Sequence, residues 1–206
     1  MDMMALKSTG RALRRRLYKP AYRGFGPMPL LSKQSALRRV FLPGAVVIET
    51  GTYHGDSSRF FSSAGFPVHT IEVSTTLAAL VFPGLRRVGV TCHQGDSAKL
   101  LPDLLMTLAD EGVEEINFWL DGHWSGGVTS SAPAHETPIV KELEAIGELR
   151  RKFRRMVVAV DDFRCFGNDA AYPEKYFLID WTRRNSLESY FLADIFVAST
   201  ESYVDL

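Results

Sequence analysis

The chain has 206 residues, 46% of them hydrophobic and 23% charged, with 24 Lys plus Arg set against 24 Asp plus Glu. These are ordinary values for a globular domain large enough to bury a proper core. There is no disulfide-rich context, no internal repeat and no low-complexity linker, and no apolar run approaches the roughly eighteen residues of a membrane span. No signal-peptide h-region opens the chain. Cys92 and Cys165 have neither metal spacing nor a disulfide framework, so a reducing, cytoplasmic setting is expected.

The neutral total hides an asymmetry. Residues 1–45 hold ten Lys or Arg against one acid, Asp2, a balance of +9 that leaves −9 for the remainder. These residues read as a basic helical N-terminal arm of one or two short helices, broken where Gly and Pro punctuate residues 23–29. Such an arm could bind nucleic acid, an anionic surface, or the acidic body of its own fold.

From Val46 the pattern alternates. A strand at 46–50 leads to a helix near 56–64, a strand at 68–72 and a short helix near 75–82. A strand at 87–93, a helix at 97–111, a strand at 116–120, a helix at 136–152 and a strand at 156–160 complete the series. A helix near 173–187 and two apolar segments, 189–197 and 200–205, read as a closing hairpin or final edge strands. Strands alternating with helices predict an α/β, Rossmann-like fold: a mostly parallel sheet with right-handed crossovers, helices on both faces and a C-terminal antiparallel edge. Residues 46–206 form this second unit.

The first strand runs into Glu49-Thr-Gly-Thr-Tyr-His-Gly55. Gly51 and Gly55 read as places where a ligand approaches the backbone and a Cβ would block it. About twenty residues later Glu72 ends the second strand, where this kind of fold reaches the hydroxyls of a ribose. The spacing is looser than the Gly-x-Gly-x-x-Gly of pyrophosphate binders, which favours a nucleoside ligand, with S-adenosylmethionine (SAM) the first candidate.

Ligands of open parallel sheets collect outside the carboxyl ends of the strands, and here acids recur at those ends: Glu49, Glu72, Asp96, Asp121 and the pair Asp161-Asp162. If the fourth and fifth strands are neighbours, roughly 4.8 Å apart, Asp121, Asp161 and Asp162 share one small volume. Three carboxylates so close repel one another unless a cation sits among them, and an all-oxygen set favours Mg²⁺, Mn²⁺ or Ca²⁺. The alternative is that one Asp caps the following segment while the other bonds a loop. His123, in a glycine-bordered loop with Trp124, has the pKa of a general base or could orient Asp121. His54 could line the cofactor pocket; His69, His93 and His135 read as structural. Ser57 and Ser58 lack nucleophile-elbow partners, which argues against hydrolase chemistry.

With these residues assembled, the chain from about residue 40 onward resembles the class I SAM-dependent methyltransferases. Glu49-Thr-Gly-Thr-Tyr-His-Gly55 is similar to their first motif. The resemblance implies that Glu49, Gly51, Tyr53, His54, Gly55 and Ser57 surround the methionine end of SAM, that Glu72 grips the ribose, and that Asp96 and Ser97 meet the adenine, with Asp121 also near the cofactor. Within the class, Leu120-Asp-Gly-His and Asp161-Asp-Phe resemble the macrocin-type O-methyltransferases, which implies Mg²⁺ held by Asp121, Asp161 and Asp162. His123 stands in place of that group's second acid, and Trp124-Ser-Gly-Gly127 is an addition to its loop.

The expected chemistry is methyl transfer from SAM to a hydroxyl of a small molecule, with His123 and Asp121 catalytic and a divalent ion assisting. Two rivals stand beside it: a cephalosporin-hydroxylase-like Fe(II) enzyme using the same acids and His123, and a non-catalytic SAM- or nucleoside-binding module acting through its basic arm. Apolar residues at Phe41-Leu-Pro and 189–206 would suit a homodimer contact.

Overall fold

The structure is a computed structural model of the chain and describes residues 29–121 and 137–201. Its strands are β1 (Val46–Thr50), β2 (Val68–Glu72), β3 (Thr91–Gln94), β4 (Glu115–Leu120), β5 (Arg155–Val160), β6 (Glu188–Leu192) and β7 (Ile195–Ser199). Its α-helices are α1 (Leu30–Val40), α2 (Asp56–Ser63), α3 (Thr75–Arg86), α4 (Ser97–Asp110), α5 (Ile139–Leu149) and α6 (Lys175–Arg184).

The seven strands form one sheet in the order β3-β2-β1-β4-β5-β7-β6. The pairs among β1 to β5 are parallel, and β7 lies antiparallel to both β5 and β6. The chain starts in the middle, winds out to β3, then returns to place β4 on the other side of β1. That reversal opens a crevice at the carboxyl ends of β1 and β4.

Side chains alternate across each strand, so the sheet divides the core in two. Ile48, Ile71, Phe118 and Val158 face one side with Leu101, Leu105 and Leu108 of α4, Leu143 and Ile146 of α5, and Leu178 and Trp181 of α6. Val47, Val68, Trp119 and Val157 face the other with Leu37 and Val40 of α1, Phe61 of α2, and Val81, Phe82 and Leu85 of α3. The near-continuous Val/Ile/Phe runs of β4 and β5 follow from burial on both faces.

The described part of the first 45 residues packs into this core. Leu37, Val40, Phe41 and Leu42 are all buried. Just beyond α1, the Asn117 side chain brackets Leu42, accepting from its N–H at 2.8 Å and donating to its C=O at 3.1 Å. Phe41 and Leu42 therefore cannot supply the dimer contact expected of them, whereas Phe191 stays half exposed.

Three boundaries differ from expectation. The third strand starts at Thr91 rather than 87, because Gly89 at φ +82° closes α3 with a left-handed turn while Val88 and Val90 donate to the Leu85 carbonyl. The helix α3 runs through Pro83 to Arg86, its far turn held by buried Val81, Phe82 and Leu85. The apolar stretch 189–197 is two strands rather than one, folded at Ala193, which adopts φ +60°. Among the described residues no helix is long and apolar enough to cross a membrane.

Candidate active site

The glycine turn after β1 is built on local hydrogen bonds. The N–H groups of Gly51 and Thr52 donate to the Ile71 carbonyl at 3.0 and 3.3 Å, tying the turn to β2. Glu72, at the end of β2, then takes the Tyr53 N–H on one oxygen at 2.9 Å and the Ser74 N–H on the other at 2.8 Å. Its carboxylate is thus oriented by backbone donors, and each oxygen keeps a second lone pair for a ligand hydroxyl. Tyr53 is held at φ +48°, with its ring 3.9 Å from that of His54 and both residues exposed above the turn.

Beneath the turn lies Glu49, only 1% exposed. One of its oxygens accepts from the hydroxyls of Ser58 and Thr70, and Thr70 bonds Thr52 at 2.6 Å. Burial pushes the Glu49 carboxyl up to about 7, against the pull of those two hydroxyls. Glu49 therefore braces the turn from below. Gly55 serves packing as well: its φ is +75°, and a Cβ there would meet Val81 Cγ1 at 2.9 Å and Leu85 Cδ2 at 3.0 Å. The close approach it permits is that of α3. Gly51 adopts φ +83°, a left-handed conformation that favours glycine. Ser57 is half-buried in the first turn of α2.

At the end of β3, Asp96 caps α4 by accepting the Ala98 N–H at 3.0 Å, with Lys99 3.5 Å from its other oxygen. Ser97 points inward instead of toward a ligand, donating at 2.5 Å to Glu142 of α5. Glu142 is wholly buried, and desolvation lifts its carboxyl to about 7 despite Ser97 and Thr50. Nothing in the helical pattern of 139–149 marked Glu142 out, since a glutamate inside a helix ordinarily faces water.

The acids of β4 and β5 meet as the strand order requires. Leu120 pairs with Val160 across the two strands, so Asp121, Asp161 and Asp162 leave the sheet side by side, each offering an oxygen within 4.8 Å of the others. Asp162 is bent into the left-handed region at φ +54°, with its N–H on Asp161 Oδ1 at 2.8 Å. A cavity of about 10 Å³, the size of one water, opens beside them between Leu120, Thr137, Val160 and Tyr172. Burial first, then the Asp161 charge, pushes Asp121 well above the usual carboxylate range. Asp161 is raised likewise by burial and by Asp162.

Among the described residues, two cations that sequence reasoning missed join the cluster. Lys33 of α1 reaches down to form a close ion pair with Asp161 Oδ2, and its Nζ lies 3.8 Å from Asp162 Oδ1. Burial pulls the Lys33 ammonium down, yet Asp161, Asp121 and Asp162 together leave it above its usual value. Arg164 donates to Asp162 Oδ1 at 2.7 Å and pairs closely with Asp194, whose other oxygen takes the Arg164 N–H at 2.9 Å. The trio offers the oxygen donors that suit Mg²⁺. As arranged, Asp161 and Asp162 are already engaged by Lys33 and Arg164, so two of the three carboxylates carry a side-chain cation. His123, Trp124 and His135 lie outside the described residues. His69 and His93 pair with each other on the β2–β3 edge, Nδ1 to Nε2 at 3.1 Å, away from the acids.

The fold, a mostly parallel seven-stranded sheet with an antiparallel edge, is one shared by solved SAM-dependent methyltransferases. A TehB-like SAM-dependent methyltransferase from Corynebacterium glutamicum superposes over 95% of this chain and 97% of its own, with a TM-score of 0.50 at 16% identity. A magnesium protoporphyrin IX methyltransferase from Synechocystis, crystallised with S-adenosylhomocysteine (SAH), covers 94% and 95% with a TM-score of 0.49 at 16% identity. At these identities the likeness is one of fold. No protein-family model matches the sequence, and no curated protein matches it.

Proposed function

We propose that the protein is a SAM-dependent methyltransferase acting on a hydroxyl of a small molecule. The observation that carries this reading is Glu72: a carboxylate at the end of β2, aimed by two backbone N–H groups, beside the left-handed glycine turn at Gly51. That is the chemistry a ribose diol needs, two acceptor oxygens already held in place. The residues suit the cofactor elsewhere too. Gly51 carries no Cβ to crowd a ligand at the turn, Tyr53 is exposed there, and Asp96 stands one strand beyond Glu72.

Bound SAM would supply a methyl group already activated on a sulfonium. The chain must then hold an acceptor hydroxyl and take its proton. Asp121 is the residue for that step. It emerges beside the glycine turn, its N–H on the Thr50 carbonyl at 3.2 Å. Burial and the neighbouring Asp161 raise its proton affinity, which strengthens it as a proton acceptor. His123, two residues on, is the second candidate for the same role. The Mg²⁺ assistance implied by the macrocin-type resemblance is left out, because the oxygens it would need are engaged by Lys33 and Arg164.

The test is calorimetric titration of the full chain with SAM and with SAH. Saturable binding of both at micromolar concentrations is expected, and Asp121→Asn should keep that binding while losing turnover on any acceptor found. Absence of binding to either ligand overturns the reading.

A further inference from the structure

We infer that Lys33 is the resident cation of the acid trio, a tethered ammonium standing where related chemistry would employ a divalent ion. The inference concerns the acceptor end of the methyl-transfer reading above. It is tested by cation binding alone, so its failure leaves SAM binding untouched.

Three observations lead here. The first is position. Lys33 sits 128 residues from Asp161 in the chain, yet its ammonium forms a close ion pair with Asp161 and lies 3.8 Å from Asp162. Its side chain is 13% exposed against 2% for that of Asp161, so this pair is shielded from solvent and not a surface contact.

The second is that the helix carrying Lys33 is anchored. Leu37 and Val40 are buried among Phe61, Val81 and Val157, and the Asn117 amide clamps the backbone of Leu42 from β4. With the far end of α1 fixed to the strand that delivers Asp121, Lys33 is presented to the trio by the core itself. A long lysine on a loose arm would have to give up side-chain entropy to make this contact; here the helix is already docked.

The third is charge. Asp121, Asp161, Asp162 and Asp194 contribute four carboxylates, and Lys33 and Arg164 contribute two cations. Arg164 is shared between Asp162 and Asp194, which leaves Lys33 to serve Asp161. Removing Lys33 would leave buried Asp161 with no cation on it among the described residues, and a cluster of oxygens within 4.8 Å would then lack that positive charge. Like charges at this spacing demand a replacement.

Lys33→Met should therefore create a divalent-cation site that the native protein lacks. The experiment is calorimetric titration of the full chain with Mg²⁺ and with Mn²⁺, together with the Mn²⁺ electron paramagnetic resonance signal. The native chain is expected to bind both ions no more tightly than about 1 mM, and Lys33→Met about tenfold or more tightly. Lys33→Arg, which keeps the charge, should stay native-like, and adding Asp161→Asn to Lys33→Met should abolish the gain. Circular dichroism and the thermal midpoint check that each variant folds. Native protein that binds Mn²⁺ at micromolar concentration, with loss of binding in Asp161→Asn, would overturn the inference. So would a folded Lys33→Met protein with unchanged affinity. If Lys33→Met fails to fold, the native and Lys33→Arg titrations still decide, since tight binding by either refutes a resident ammonium.

Discussion

The two ends of the crevice hold their carboxylates by different means. At the glycine turn Glu72 is satisfied by Tyr53 and Ser74, nineteen and two residues away, through backbone N–H groups. At the end of β5, Asp161 and Asp162 are met by side-chain cations, Lys33 from 128 residues away and Arg164 from a neighbouring turn. A backbone donor cannot leave, and it carries no net charge. Such a carboxylate keeps its own charge and its spare lone pairs for a ligand. A side-chain cation neutralises the acid it touches, so the second cluster is closer to internal balance and offers a ligand a base more than a bare anion. On the reading proposed above, recognition falls to the first end and proton handling to the second.

Three substitutions would break or sharpen that contrast. The largest effect is expected from Glu72→Ala, which removes two charge-assisted hydrogen bonds to the turn along with the diol acceptors. It should cost about 2–3 kcal/mol of SAH binding, read by calorimetry. An unchanged affinity would move recognition away from this end.

Next is the stability of Lys33→Met. Stripping the cation from buried Asp161 should cost about 2 kcal/mol at pH 8, measured by urea unfolding. The sign with pH follows from the direction of the Asp161 shift. Its folded-state proton affinity is already raised by burial and Asp162, and loss of Lys33 raises it further. The folded state then binds the proton more tightly than the unfolded chain, so stability falls as pH rises through the window between the two values. The deficit relative to native protein should shrink by pH 5. A deficit equal at pH 5 and pH 8 would mean that the lost packing of the lysine stem, and not its charge, matters.

The smallest effect is expected from Gly55→Ala, at about 1–2 kcal/mol. The new Cβ would press Val81 and Leu85 in a left-handed conformation. It should lower the thermal midpoint while SAH affinity changes little. A large loss of affinity with an unchanged midpoint would restore Gly55 to the ligand.

Val46-Val-Ile-Glu-Thr50 and Met156-Val-Val-Ala-Val160 declared themselves as buried strands because apolar β-branched runs ending in an acid have few other uses. The alternation of such runs with helical stretches was enough for a parallel sheet with an antiparallel edge. Glu72 and Asp96 were legible for the same reason: their place at strand ends follows from local pattern, and their hydrogen bonds come from residues nearby in sequence. The meeting of Asp121 with Asp161 and Asp162 required one further assumption, that β4 and β5 are neighbours, which the sheet order bears out.

What sequence alone determined was therefore the α/β architecture and the acids along its carboxyl edge, because both rest on short-range periodicity. Only the tertiary structure decided what each acid touches. It turned Glu49 under the glycine turn and Ser97 toward buried Glu142, and it drew Phe41 and Leu42 into the core. It also took Lys33 from an apparently solvated basic stretch and set it on Asp161. A charge pair across 128 residues leaves no periodic trace. It arises from how a docked helix and a strand end come to face one another, and that is settled only when the whole core is packed.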